Sequence, residues 1–140
     1  MALARVRRAP RHLDALLAVG VGGALGTLAR YEIWLALPVA TGGFPWAVFA
    51  ANIVGALVLG VVTTYVLEHL PRTRYLRPFA GIGFCGGLTT FSTWMVDAVL
   101  LGDARHSLVA TVYVAATLLA GLVSLFLGVV IVRVLNRERF

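Results

Sequence analysis

The densest group of polar residues inside an apolar stretch is the run GGLTTFST, from Gly86 to Thr93. Adjacent glycines followed by threonines and a serine make a poor continuous helix, and the pattern predicts an unwound turn. Where water is absent, irregular backbone is tolerated only if protein buries it or it lines a cavity. Its free carbonyl groups would suit a small cation. The alternative is a kinked packing helix rich in serine and threonine.

Two other polar residues lie within apolar stretches. Asn52 follows Trp46 by six residues, which places it about 9 Å along a helix from that tryptophan. Its amide either bonds to another helix or offers its NH₂ group to a permeating anion. Arg30 either makes an aqueous entrance electropositive or pairs with Glu32 at the membrane surface. The residue types alone leave both choices open.

A third polar feature occurs in the last apolar stretch. Tyr113, Thr117 and Gly121 are spaced four residues apart, with Ser124 on the next turn, so they share one helical face. Two hydroxyl groups on one line would form a polar track for an ion. Occasional serine, threonine and tyrosine residues are equally ordinary in such helices.

Several kinds of enzyme chemistry have no basis in this sequence. The single cysteine, Cys85, excludes an internal disulfide, and the three histidines are not spaced as metal ligands. The glycines at positions 81, 83 and 86 match a dinucleotide-binding spacing, but they lack the preceding strand and the following acidic residue. The sequence places no nucleophile together with a base at a plausible depth in the membrane, and we expect no enzyme activity.

The elements that must position these residues are membrane-spanning helices. Of the 140 residues, 60% are hydrophobic and 13% are charged, which is too apolar for a soluble domain of this size. Four stretches reach the roughly 20 residues needed to cross a bilayer. They run from Asp14 to Leu37, Trp46 to Leu67, Phe79 to Leu101 and Leu108 to Val132. The prediction is an all-α membrane protein with four transmembrane helices, the third broken near mid-membrane, in a domain of residues 14–133.

The arginines predict the orientation. All twelve basic residues are arginine, and ten of them fall on one side of the four spans: Arg5, Arg7, Arg8, Arg11, Arg72, Arg74, Arg77, Arg133, Arg137 and Arg139. Arg30 and Arg105 fall on the other side. The positive-inside rule therefore places both basic ends, residues 1–13 and 134–140, in the cytoplasm of a plasma-membrane protein. Arginines beside membrane spans indicate contacts with anionic lipid, and we expect no nucleic-acid partner.

Three segments together resemble the Fluc (CrcB-type) fluoride channel family. They are GGALGTLARY from Gly22 to Tyr31, NIVG from Asn52 to Gly55, and GGLTTFST from Gly86 to Thr93. The resemblance covers nearly the whole chain, and the third segment has an unusual composition. It implies passive export of fluoride, which lowers the toxicity of this anion in the cytoplasm.

The resemblance also implies an assembly and a set of site residues. The family forms antiparallel dual-topology dimers, with pores at the subunit interface and a structural, non-permeating Na⁺ at the centre. By position, the carbonyls of Gly86 and Thr89 would bind sodium, and Arg30 would supply the charge of the vestibule. The implied fluoride pathway consists of Asn52, Thr90, Phe91, Ser92, Trp94, Tyr113 and Thr117.

Departures from the family pattern suggest unequal subunits. Trp94 replaces a phenylalanine, Val48 and Gly121 replace hydroxyl residues, and Asp97 stands where many members have glutamate. A chain that inserts in both orientations should also have nearly balanced charge. We therefore expect a heterodimer with a related, oppositely oriented chain, while a homodimer remains an alternative.

Two other functions compete with the channel. A non-conducting partner subunit would show no fluoride flux with any partner. A small proton-coupled multidrug exporter would need a carboxylate deep in the first span. Asp14 and Glu32 lie at the ends of that span, which disfavours the exporter.

Overall fold

The structure, a computed structural model, describes residues 11–70 and 74–137, and every regular element in these ranges is helical. Its elements are α1 (Arg11–Ala36), α2 (Trp46–His69), a π-helical segment (Arg77–Phe84), α3 (Cys85–Leu88), α4 (Phe91–Asp103) and α5 (Ser107–Asn136). Arg5, Arg7, Arg8, Arg72 and Arg139, which carry much of the predicted charge asymmetry, lie outside the described residues.

Four helical stretches of the described chain are long and apolar enough to cross a membrane. They are Leu13–Ala36, Trp46–Glu68, Arg77–Asp103 and Ser107–Asn136. The predicted all-α fold with four membrane-capable spans is confirmed. The bounds differ from the prediction by a few residues, and the fourth helix extends to Asn136 because its apolar pattern continues past Val132.

The third stretch changes its backbone conformation twice. It begins as a π-helix, in which the amide of Cys85 still bonds to the carbonyl of Ala80 five residues earlier, and it tightens into the short α3. Thr89 and Thr90 then adopt extended conformations (φ −81°, ψ 156° and φ −148°, ψ 123°) before α4 begins. The glycine pair of the GGLTTFST run remains helical, and the helix is interrupted at the two threonines, Thr89 and Thr90.

The interruption changes the neighbour of the third stretch. The π-helical segment and α3 pack along α1, whereas α4 packs against α5. The other large contact joins α2 and α5, and α2 also touches both halves of the third stretch. Two of these pairs, α1 with the third stretch and α2 with α5, are parallel, since Asp14 of α1 lies beside Arg74 and Glu68 of α2 lies beside Arg133 of α5. Thr89 and Thr90 therefore sit where the chain passes from one helix pair to the other.

Glycines bring α1 close to the third stretch. A β-carbon at Gly26 would meet the backbone carbonyl of Phe84, and one at Gly22 would meet that of Phe79. Gly83 and Gly87 contact the backbone of α1 in the same way from the other side. This is small-residue packing, which lets helix backbones approach where side chains would hold them apart.

Glycines also bring α2 close to α5. β-Carbons at Gly60 of α2 and Gly128 of α5 would each collide with the backbone of the other helix. At the end of this contact, Arg133 Nε lies 2.9 Å from Glu68 Oε1. Both side chains of this ion pair are solvent-accessible, so the glycine contact is the main determinant of the spacing.

We predict that Gly26→Ala destabilises the protein strongly, because its methyl group meets backbone that a rotamer change cannot move. Overpacking of this kind costs about 1–3 kcal/mol. Gly20→Ala on the same helix is the matched control, since nothing lies within 4 Å of a β-carbon there. The measurement is the thermal unfolding midpoint of both variants in detergent. Equal midpoints would contradict the packing explanation.

Candidate ion pathway at the helix interruption

The side-chain amide of Asn52 forms two hydrogen bonds with the backbone of Thr90, one through its nitrogen and one through its oxygen. Asn52 Nδ2 donates to the Thr90 carbonyl at 3.2 Å, and the Thr90 amide donates to Asn52 Oδ1 at 2.8 Å. The pair satisfies the two backbone groups that the extended conformation removes from the helix. An NH₂ group carries two hydrogens, so Asn52 keeps one N–H beyond the hydrogen that it shares with Thr90.

The hydroxyl of Thr90 starts α4. Thr90 Oγ1 accepts from the Thr93 amide at 3.2 Å, as an N-cap residue does, and it donates to Thr93 Oγ1 at 3.0 Å. The Ser92 hydroxyl lies 3.4 Å from the same oxygen. The hydroxyls of Thr90, Ser92 and Thr93 therefore lie together at the start of α4.

The end of α3 presents backbone carbonyls. The Thr90 amide would bond to the Gly86 carbonyl in a continuous α-helix, but it donates to Asn52 instead. Gly86 is exposed, and nothing lies within 4 Å of its β-carbon position. The Thr89 carbonyl accepts a hydrogen bond from Arg30 Nη1 at 3.3 Å. The two carbonyls predicted to bind sodium thus belong to one helix end, and a guanidinium contacts one of them.

Two grooves meet at Thr90. The first, which we call the Asn52 groove, has a volume of about 340 Å³ and lies between α2, α5 and the interruption. It is lined by Asn52, Ala56, Leu59, Thr89, Thr90, Phe91, Trp94, Thr117, Leu118, Gly121, Leu122 and Leu125. The second, the Arg30 groove, has a volume of about 240 Å³ and is lined by Thr27, Arg30, Tyr31, Trp34, Ala47, Val48, Thr90 and Thr93. Thr90 lines both grooves, so it marks their boundary.

A further cavity continues the Arg30 groove toward the loop between α1 and α2. It shares Trp34, Ala47, Val48 and Thr93 with that groove, and it reaches Asp97 and the end of α4. Its volume is about 370 Å³. Together the Arg30 groove and this cavity form one open depression. It runs from the loop between α1 and α2 to Arg30, at the end of the bundle opposite Arg133.

The two aromatic residues of the predicted pathway form a contact of their own. The rings of Phe91 and Trp94 lie 5.6 Å apart in an edge-to-face arrangement. Phe91 is 71% exposed, although it lies beside the interruption. Trp94 is half-buried, and its indole Nε1 is a buried donor without an acceptor in the described part of the chain. A phenylalanine at this position would leave no such donor.

The predicted polar track on α5 is divided between two environments. Tyr113 has no exposed surface, packs with Val48 and Leu101, and lines neither groove. Its hydroxyl donates to Asp97 Oδ2 at 3.3 Å. Thr117 lines the Asn52 groove, but its hydroxyl donates to the Tyr113 carbonyl at 2.7 Å. The hydrogens of both hydroxyls are therefore already engaged within the protein.

The structure thus brings together part of the predicted site. The residues gathered at the Asn52 groove are Asn52, Thr89, Thr90, Phe91, Trp94 and Thr117. Arg30 lies in the other groove, Tyr113 is enclosed, and Ser92 is exposed beside Thr90. Thr93, which was not among the predicted pathway residues, lines the Arg30 groove and its continuation. No signal in the sequence distinguishes Thr93 from the neighbouring hydroxyl residues as a groove-lining residue.

Comparisons with known proteins agree with these motifs. The family model described as CrcB-like protein, Camphor Resistance (CrcB), matches residues 17–129. A protein of Streptomyces avermitilis named fluoride-specific ion channel FluC 3 is 49% identical over 124 residues, which are 89% of this chain and 61% of that protein. The chain therefore spans less than two thirds of this relative.

Two further relatives are covered almost completely. Fluoride-specific ion channel FluC 1 of Mycolicibacterium paratuberculosis is 43% identical over 84% of this chain and 89% of its own length. Fluoride-specific ion channel FluC of Chlorobium luteolum is 36% identical over 85% of this chain and 92% of its own length. The similarity thus includes the four membrane-capable spans as a unit.

We predict that Asn52→Ala destabilises the interruption, because it leaves a part-buried amide and carbonyl of Thr90 without their partners. Such losses cost about 1–3 kcal/mol. Asn136→Ala is the control, since Asn136 bonds to the Val132 carbonyl of its own helix end. Thermal unfolding in detergent should separate the two variants. An Asn52→Ala protein as stable as the Asn136→Ala protein would contradict this role.

Proposed function

The chain belongs to the CrcB-like protein family, and we propose that it is a subunit of a fluoride-specific ion channel through which fluoride leaves the cytoplasm passively. It is a multi-pass membrane protein, by its family and by its four membrane-capable spans. The observation that carries this proposal is the similarity to the protein named fluoride-specific ion channel FluC 1, which is 43% identical to this chain over 89% of its own length. The grooves at the helix interruption supply a physical route.

Fluoride is small and strongly hydrated, so a selective pathway must replace its water with hydrogen-bond donors. In our proposal, Asn52 is the principal donor of the Asn52 groove. One of its N–H bonds and its oxygen hold Thr90, which fixes the direction of the amide, and the second N–H is left for the ion. The two roles that the sequence left as alternatives are therefore compatible in one side chain.

Aromatic edges supplement this donor. The edge of an aromatic ring carries partial positive charge, which favours an anion at the rim rather than over the face. Phe91 is exposed at the interruption, where its rim is accessible. Trp94 is held against Phe91 edge to face, so the two rings limit each other's rotation. In the proposed pathway, Phe91 contacts the ion and Trp94 positions the Phe91 ring.

The hydroxyls of Thr90, Ser92, Tyr113 and Thr117 have a secondary part in this pathway. A hydroxyl has one hydrogen, and those of Thr117 and Tyr113 are engaged with a carbonyl and with Asp97. Either hydroxyl would have to rotate away from its present acceptor to bind fluoride. We propose that Thr90 and Ser92 line the path while they cap α4, and that Thr117 donates only after such a rotation.

A structural sodium ion belongs to the proposal, with Gly86 and Thr89 as its ligands. The fit rests on backbone oxygens at the end of α3, where the Thr90 amide is directed to Asn52 and the Gly86 carbonyl loses its helical partner. Interrupted helices in transport proteins bind sodium through such carbonyls. When bound, the ion would supply a fixed positive charge that offsets the cost of bringing an anion into apolar surroundings.

We propose that the channel is an antiparallel dimer, with the interruption near mid-membrane and the second subunit beside it. Gly86, Phe91 and Ser92 are exposed around the interruption, so a second chain can cover them and complete the site. The charge asymmetry and the departures from the family pattern at Trp94, Val48 and Gly121 favour a related, oppositely oriented partner over a second copy. Both termini of this chain would lie in the cytoplasm.

We predict selective fluoride efflux from liposomes, followed with a fluoride electrode and compared with chloride-loaded vesicles. If the partner is a related chain, this chain alone is silent and a mixture of the two conducts. Rapid fluoride-selective efflux from this chain alone would establish the channel and overturn the obligate heterodimer. Silence with every related partner would favour a non-conducting subunit.

We also predict one orientation in cells, because ten of the twelve arginines fall on one side of the spans. Single cysteines placed at each terminus of a Cys85→Ser protein should react with a membrane-impermeant reagent only after permeabilisation. A cysteine in the loop of residues 39–45 is the control and should react with intact spheroplasts. A mixed population for the chain expressed alone would contradict the fixed orientation.

A further inference from the structure

We infer that Arg30 lowers the affinity of the proposed sodium site, because its guanidinium already binds one of the two carbonyls assigned to sodium. This inference rests on the proposed function, and it adds a residue that sets how much sodium the site requires. The starting observation is the hydrogen bond from Arg30 Nη1 to the Thr89 carbonyl, 3.3 Å long and between residues 59 positions apart.

Among the residues that the structure describes, none forms an ion pair with Arg30. The two ion pairs found among residues 11–70 and 74–137 join Arg74 to Asp14 and Arg133 to Glu68, and neither includes Arg30. The pairing of Arg30 with Glu32, one of the two alternatives that the sequence left open, is absent from the described ion pairs. Arg30 is half-buried, so solvent screens its charge only partly. Its positive charge therefore acts on the Thr89 carbonyl without local neutralisation.

A carbonyl oxygen has two lone pairs, and Arg30 occupies one of them. A sodium ion on the other lone pair would share this oxygen with a guanidinium, and like charges at such a separation repel strongly in partly buried surroundings. The hydrogen bond also draws electron density toward the guanidinium, which makes the oxygen a weaker ligand. Both effects act in the same direction, against sodium binding.

Packing holds the backbones of Arg30 and Thr89 close to each other. Arg30 lies on α1 one turn after Gly26, whose close approach to the backbone of Phe84 fixes α1 against α3. The Thr89 amide and hydroxyl both bond to the Cys85 carbonyl, at 2.9 Å each, so the Thr89 backbone is also fixed. Both backbones are therefore fixed, and Arg30 can leave the Thr89 carbonyl only by a rotation of its side chain. Sodium binding would either tolerate the guanidinium at Thr89 or displace it, and both cost free energy.

The test measures sodium affinity instead of flux. The thermal unfolding midpoint of the channel, purified in detergent in the subunit combination that conducts fluoride in liposomes, is followed over a sodium titration, without fluoride, with N-methyl-D-glucamine chloride keeping the ionic strength constant. Arg30→Gln, which removes the charge, should lower the half-maximal sodium concentration by about tenfold or more, a factor equivalent to about 1.4 kcal/mol. Arg30→Lys, which keeps a charge but loses the planar fork, should fall between Arg30→Gln and the unmodified chain.

The control is Arg105→Gln, which makes the same change of charge in the exposed turn between α4 and α5 and should leave the sodium requirement unchanged. If Arg30→Gln does not fold, the direction of the Arg30→Lys shift decides. An unchanged or higher sodium requirement in the Arg30 variants would overturn the inference. If no variant responds to sodium, both the inference and the sodium assignment fail, while fluoride efflux from liposomes still judges the channel independently.

Discussion

A helix that is interrupted inside a membrane must have its free backbone groups satisfied by protein, because the surroundings contain no water to bind them. In this chain the extended residues are Thr89 and Thr90, and the amide of Asn52 binds both backbone groups of Thr90. The Thr90 hydroxyl then begins the next helix. The rest of the candidate site depends on this arrangement, since it frees the carbonyls of α3 and opens the grooves on either side.

The glycine contacts give the interruption its geometry. Gly22 and Gly26 bring α1 against the third stretch before the break, and Gly60 with Gly128 brings α2 against α5. The two halves of the third stretch serve different pairs, so the chain must cross between them at Thr89 and Thr90. Close backbone packing thus explains why the polar residues of three elements, on α1, α2 and α4, meet at one level of the bundle.

The hydrogen bonds also rank the candidate ligands. Most hydroxyls near the interruption are already engaged: Thr117 with the Tyr113 carbonyl, Tyr113 with Asp97, and Thr90 with Thr93. Asn52 retains one N–H, and Phe91 retains an exposed rim. A pathway for a strongly hydrated anion therefore depends on a few fixed donors and ring edges, with a positive charge near the helix end. In the proposed pathway, Arg30 would supply part of that charge from the protein itself.

The sequence by itself determined the number and approximate extent of the membrane-capable spans, the all-helical class and the family, because apolar length and the GGLTTFST run are local features that survive any packing. It also indicated that the third stretch would be irregular. It did not locate the extended pair two residues after the glycines, nor the π-helical segment before α3, since both contact other elements, Thr90 at Asn52 and Gly83 at the backbone of α1. The partners of Asn52 and Arg30, the enclosure of Tyr113 and the engagement of Thr117 were decided by the tertiary structure alone. Each of these contacts joins side chains to groups on other elements or turns, and a hydrogen bond depends on distance and direction that spacing along the chain does not specify.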